Sequence, residues 1–444
     1  MRGVFFSLLF SLFIIQSASA DLSEIAHDWA DRFESSPRTF QSDESITVWG
    51  AAQSRKFLFH RPQFKSQEIS SRFFKRGKVR ATYSLRKDRK SGQLLERPLV
   101  VFLPGIFSGA TSPSALQAIH NYASRGSHVV VFPNPWSLEY VKSLPLANPG
   151  DIESEAKAVL NLISAFKTKL GKQAFTRVDL VGESYGAFLS IVTAAKDSKK
   201  RPLIDGSVAS LSPPLDVAAA LNQLDQGIQN SKALYRRECR GILKWSKFSF
   251  ELLFSDNDSK LSQNLKVCLE PTIYHAFQMS LLKTTKTIDH LNNIGKIPCC
   301  SKHAKAYREW SRDFNFTRFI ETYTPEVLED FEKRKKTSLA YWVGKITDQK
   351  RNTLQIILAQ DDFLNRSTSS ESLVEALPNQ KQLVVLSWGG HIGFVQLPQF
   401  QDFLDEAFSI TAFPDSSRQN SDRTLEGEVS PKPSQKTAEF GYMH

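Results

Sequence analysis

The sequence predicts an α/β protein: a mostly parallel, doubly wound sheet with a helical segment inserted between two of its later strands. Three observations predict it. From about residue 97 to residue 211, short runs of Val, Ile, Leu and Phe alternate with stretches whose apolar residues recur at helical spacing. After Pro213-Pro214 that rhythm stops, and residues from about 220 to 350 read as helical, aromatic-rich and free of a convincing strand. It resumes at Thr353 to Ala359 and again at Gln382 to Ser387.

At 444 residues, 41% hydrophobic and 23% charged, the chain has a large core available. Met1 to Ala20 stands apart from the fold. Arg2 gives a positive start, Val4 to Ile15 is almost unbroken apolar sequence, and Ala18-Ser19-Ala20 precedes Asp21. That pattern predicts a cleavable secretory signal, too short to span a bilayer, with the mature chain starting near Asp21 in a periplasm or outside the cell. An uncleaved membrane anchor is the competing reading. Residues 21–95 read as an N-terminal extension, 96–410 as the α/β domain with its insertion, and 411–444, rich in Ser, Pro, Lys and Glu, as a disordered tail.

Taken in order, the extension carries one amphipathic helix near Ser23 to Phe33 and a strand at Lys78 to Leu85. Arg97 to Leu103 is the first buried strand. A helix follows from Ser112 or Ser114, with Leu116, Ile119 and Tyr122 on one face, and stops at Gly126. His128 to Phe132 is the next strand. Asp151 opens an amphipathic helix through Ala156, Val159, Ile163 and Phe166 to Gly171. A strand then leads into Ser184, a helix runs to Ala195, and Gly206 to Leu211 is a further strand. No G-x-G-x-x-G follows the first strands, which argues against a dinucleotide site. An insertion after such a strand emerges on the side where active groups collect, so 220–350 reads as a cap.

The motif with most chemical content is Gly182-Glu183-Ser184-Tyr185-Gly186. It is a G-x-S-x-G preceded by a β-branched run and followed by small helix formers, the setting of a nucleophile elbow. A serine alcohol needs a base to take its proton, so the reading requires a histidine and an acid downstream. Leu354 to Ala359 is an apolar strand closed by Gln360-Asp361-Asp362, and Leu383 to Leu386 leads to Ser387-Trp388-Gly389-Gly390-His391. Serine, acid and histidine each fall just past a predicted strand. We take Ser184, Asp362 and His391 as the candidate catalytic residues. Asp361 reads as a brace or cap of the same turn and is the competing candidate for the acid. Asp216, after the preceding strand, reads as a helix N-cap.

An oxyanion site needs backbone N–H donors, one from the residue after the nucleophile, here Tyr185. The second is assigned to Ile106, in the loop Pro104-Gly105-Ile106-Phe107, where Gly105 permits close approach. Phe107 and Trp136 are candidates for lining the mouth of the site, with Trp136 equally readable as a packing residue.

The net charge is +11, and residues 231–350 hold 22 Lys and Arg against 14 Asp and Glu. Such an excess suits an anionic membrane surface or simply a solvated exterior. No nucleic-acid motif accompanies it. The four cysteines, Cys239, Cys268, Cys299 and Cys300, fit an oxidising compartment. Neighbouring cysteines rarely bond each other, so we expect Cys239 and Cys268 each to pair with one of Cys299 and Cys300. Zinc spacing is absent, and neither metal nor cofactor is expected.

Together the elbow at Ser184, the Ala359-Gln360-Asp361-Asp362-Phe363 strand end and Gly389-Gly390-His391-Ile392-Gly393-Phe394 resemble the YheT-like branch of the α/β-hydrolases, bacterial relatives of the ABHD-type lipid hydrolases. Phe319 to Trp342 is similar to that family's helical region before the acid strand. The likeness spans roughly residues 95 to 405. It implies an α/β-hydrolase fold and hydrolysis of small or lipid carboxylic esters. This chain departs from the family at Pro104, where a histidine is usual, around Pro133 to Ser137, and in having a secretory signal. Gly182-Glu183-Ser184-Tyr185 also resembles serine carboxypeptidases, although Gly186-Ala187 reverses their order and G-G-H-I-G-F is not their histidine motif. A catalytically silent hydrolase fold used for binding is the third reading.

Overall fold

One eight-stranded sheet, in the order β1-β2-β4-β3-β5-β6-β7-β8, organises the chain. The computed structural model describes residues 22–38, 40, 43–54, 64–171, 174–197, 202–239, 262–298, 304–351 and 353–408. Residues 1–20, read above as a signal, residues 411–444, read as a tail, Cys299 and Cys300 lie outside the described residues.

The strands are β1 (Lys65–Ser70), β2 (Lys78–Ser84), β3 (Arg97–Leu103), β4 (His128–Val131), β5 (Phe175–Glu183), β6 (Val208–Leu211), β7 (Leu354–Ala359) and β8 (Leu383–Leu386). β2 is antiparallel to both its neighbours, and the run from β4 to β8 is parallel throughout. Parallel strands are covered on both faces, which is why β3, β4, β6 and β7 are mostly apolar or small-residue runs rather than alternating ones.

Helices α1 (Leu22–Glu34) and α2 (Asp43–Ser54) precede the sheet. α3 (Pro113–Ser124), α4 (Ile152–Leu170) and α5 (Tyr185–Lys196) connect its strands. Each starts where the sequence supplies a cap or a turn: Ser112 accepts the Ala115 N–H, and Asp151 accepts the Ser154 N–H. α4 and α5 bury Val159, Ile163, Phe188 and Ile191 against Leu99, Val101 and Leu180 on one face of the sheet. α3 and the last helix, α10 (Pro398–Phe408), bury Ile119, Phe400 and Phe403 against Val100, Phe102 and Val181 on the other.

The N-terminal extension is more integral than its sequence suggests. It supplies β1 and β2 to the sheet, so the domain begins well before residue 96. β1 has only Ile69 buried, and its polar edge-strand sequence carries no periodic signal. On α1, Trp29 packs against Phe394, Phe400 and Phe403, and its indole N–H donates to the Gln399 carbonyl at 2.7 Å.

The insertion leaves the sheet after β6. It comprises α6 (Val217–Leu234), α7 (Gln263–Leu291), α8 (Ala304–Asp313), α9 (Phe316–Tyr323) and shorter turns, with no strand among its described residues. α6 and α7 lie side by side: Gly227 abuts Tyr274, where a Cβ would come within 2.1 Å of the ring. The expected cysteine pairing is overturned. Cys239 bonds Cys268, their Cα atoms 5.4 Å apart. The turn that continues α6 brings Cys239 directly beside α7, a proximity that spacing alone could not reveal. The chain re-enters the sheet through Lys350, whose ammonium donates to the Asp197 carboxylate at 2.7 Å at the end of α5. No described helix is long and apolar enough to cross a membrane.

Candidate active site

β5 runs straight into α5, and Ser184 at the junction has φ 56° and ψ −126°, a strained conformation for a residue with a side chain. Two glycines make the junction possible. A Cβ on Gly182 would lie 2.2 Å from the Gly186 carbonyl oxygen, and one on Gly186 would lie 2.1 Å from the Leu103 carbonyl oxygen. No other residue fits either position without moving backbone. The Ser184 N–H is held by the Leu211 carbonyl at 2.9 Å, so the turn is also tied to β6.

The three candidate residues meet. The Ser184 hydroxyl donates to His391 Nε2 at 2.7 Å, and His391 Nδ1–H donates to Asp362 Oδ2 at 2.9 Å. Asp362 is fully buried, and its other oxygen accepts the Leu364 N–H at 2.9 Å, which fixes the carboxylate plane. Phe363 stands edge-on to the imidazole at 5.6 Å. Asp361 faces elsewhere: it accepts the Gly390 N–H at 2.8 Å and pairs with Arg38 at 3.3 Å. Asp216 caps α6 through the Ala219 N–H at 3.0 Å.

The histidine loop is held from three directions. Gly389 and Gly390 take positive φ, as does Ile392, so the loop reverses sharply around the imidazole. The His391 N–H donates to the Thr47 hydroxyl at 2.9 Å and the Ile392 N–H to the Ser212 hydroxyl at 3.1 Å. Thr47 lies on α2, in the stretch read as a mere extension; a single threonine gives no sequence signal of such a task. Ser212 and Asn365, whose amide faces Asp362 at 3.4 Å, were equally silent in the sequence.

Gly105 lies against the nucleophile: a Cβ there would be 3.3 Å from the Ser184 Cβ. Phe107 takes φ 65°, and the loop is pinned by Asn134, whose amide donates to the Pro104 carbonyl at 2.9 Å. Among the described residues the backbone N–H groups of Ile106 and Tyr185 have no hydrogen-bond acceptor. Two free donors therefore flank the serine, as an oxyanion site requires. Phe107 is half-buried, in ring contact with Phe277 of the insertion at 6.3 Å. Trp136 corrects the mouth-lining reading. It is wholly buried among Phe107, Phe316 and Phe319, so it supports the wall and does not meet solvent.

The insertion roofs this site. Tyr274 of α7 packs on Phe363, which packs on His391, while Phe277 packs on Phe107. Ser184 and His391 are each only 4% exposed.

A serine after β5, an acid after β7 and a histidine after β8, on a sheet with this strand order, are the arrangement of the α/β-hydrolase fold. The chain has that fold. No family model matches it, and no curated protein matches it. Among solved structures it is similar to 2,6-dihydroxy-pseudo-oxynicotine hydrolase, at 15% identity over 78% of this chain and 68% of that one, TM-score 0.40. Brefeldin A esterase, a bacterial homologue of human hormone-sensitive lipase, gives 14% identity over 84% and 86%, TM-score 0.40. The hyperthermophilic esterase from Pyrobaculum calidifontis gives 13% over 87% and 94%, TM-score 0.40.

Proposed function

We propose that the protein is a serine hydrolase that cleaves carboxylic esters through an acyl-enzyme. The observation that carries this is the continuous hydrogen-bonded line from Ser184 Oγ through His391 to the buried Asp362. In the reading it supports, His391 takes the Ser184 proton as the oxygen attacks the ester carbonyl. The carbonyl oxygen becomes an oxyanion between the Ile106 and Tyr185 N–H groups. His391 then returns the proton to the departing alcohol, leaving the acyl group on Ser184. Water, deprotonated by the same imidazole, attacks that acyl-enzyme and releases the acid and the serine. Asp362 holds the Nδ1–H tautomer throughout and stabilises the imidazolium.

The half-buried aromatic pair Phe107 and Phe277 suits an apolar acyl or alcohol group, which supports lipid or other hydrophobic esters. The G-G-H-I-G-F resemblance supports the YheT-like branch. Secretion, proposed from Met1 to Ala20, and the basic insertion support action beside an anionic membrane surface.

The test is a panel of p-nitrophenyl esters and blocked peptides with the purified chain and Ser184→Ala. The reading expects ester turnover that Ser184→Ala abolishes. Peptide cleavage without ester turnover would favour a carboxypeptidase-like enzyme, and a folded chain inert to both would leave a binding protein.

A further inference from the structure

Glu155 has no task in the mechanism above, yet it sits in the interior. It is the fourth residue of α4, where an acid ordinarily faces water beside the helix N-terminus. Glu153 does so and pairs with Lys196 and Lys336. Glu155 turns inward and is 3% exposed. No cation accompanies it among the described residues; burial pushes its carboxyl up to about 8, with Asp151 acting in the same direction. An apolar residue would fill this space without that cost, so what the carboxyl touches is informative.

It touches two things. Oε2 accepts the Tyr185 hydroxyl at 2.6 Å, and Oε1 accepts the Gly150 N–H at 2.8 Å. Tyr185 is the residue after the nucleophile and presents one of the two free N–H groups beside Ser184. Its ring lies between Trp136 and Phe188, contacts that fill space, whereas the hydroxyl's bond to Glu155 is directional. Gly150 belongs to the loop that seats the insertion: a Cβ on it would be 2.9 Å from Ile320 of α9, and Asn148 in the same loop donates to the Tyr323 carbonyl at 2.7 Å.

We infer that Glu155 is a positioning residue that fixes Tyr185, and through it an oxyanion donor, to the loop carrying the cap helix α9. The inference rests on the serine-hydrolase reading. It makes the nucleophile's surroundings depend on how the cap is seated, through one buried carboxyl.

The experiment compares wild type, Glu155→Gln, Tyr185→Phe and the double variant, all as full chains, with a p-nitrophenyl ester, and records thermal midpoints. Each single variant is expected to lower kcat about tenfold with KM within about twofold, and the double variant to lose no more than either single one. Packing damage alone would not give this kcat-only, non-additive pattern. Should Glu155→Gln fail to fold, Tyr185→Phe, which removes one oxygen, decides the matter. Wild-type kcat in Tyr185→Phe, or losses that multiply in the double variant, would overturn the inference while leaving the hydrolase reading intact. A wild type inert to esters would remove both.

Discussion

Asp361 and Asp362 are consecutive in the chain and do opposite things: Asp362 accepts the imidazole N–H of His391, whereas Asp361 accepts the Gly390 N–H and pairs with Arg38. One carboxylate orients the base and its neighbour holds the loop on which the base rides. Asp362→Asn is therefore expected to lower kcat about 10⁴-fold, because an amide favours the wrong imidazole tautomer. Asp361→Asn should retain at least about a tenth of the activity, since an amide oxygen still accepts the Gly390 N–H. Steady-state kinetics on a p-nitrophenyl ester compares the two directly, and equal losses would contradict the division.

The elbow glycines predict a graded steric series. Ala at Gly182 or Gly186 drives a methyl into backbone at near bonding distance, so both variants should lose about 3 kcal/mol or more of stability. Gly105→Ala meets only the Ser184 Cβ at 3.3 Å. It should fold and lose about tenfold in kcat through displacement of the nucleophile. Thermal unfolding and kinetics on the three variants check the order.

The return of the chain from the cap hangs on a buried ion pair. Lys350 is 8% exposed and Asp197 1%, and Asp197 also accepts the Leu203 and Ile204 N–H groups. Lys350→Ala leaves that carboxylate buried beside two N–H donors and no cation, at a cost of about 3 kcal/mol. The exposed Lys333–Glu329 pair is the control, and its removal should leave the unfolding midpoint unchanged. Urea unfolding of Lys350→Ala and Lys333→Ala makes the comparison.

Burial pushes the Glu183 carboxyl up to about 8, against about 4.3 in an unfolded chain. Between those values the folded protein keeps a proton that the unfolded chain releases. Stability from this group is complete at low pH, declines as pH rises from about 4 to 8, and is level above that. Glu183→Gln should remove part of that decline, with Glu155 supplying another part. Thermal midpoints at pH 5 and pH 8 measure it, and equal slopes in wild type and variant would contradict the assignment.

Much of this was legible in the sequence because chemistry and local pattern coincide there. Strands β3, β5 and β7 carry strongly apolar cores, and each functional residue follows a strand end marked by glycine or paired acids. Asp216 was legible as an N-cap for the same reason. What stayed hidden is tertiary. β1 is a polar edge strand, Thr47 and Ser212 act through single hydrogen bonds across the fold, and Cys239 meets Cys268 only because α6 and α7 run side by side. For Trp136 the sequence left lining and packing open, because it shows that an aromatic residue is near a site without showing which neighbours enclose it; burial favours packing.

The measurement closest to the centre of the account is reaction with a fluorophosphonate followed by peptide mass mapping. A single adduct on Ser184, absent after denaturation and strongly slowed in His391→Ala, is the predicted result. A folded protein that takes up no adduct at Ser184, or labels equally fast without His391, would contradict it.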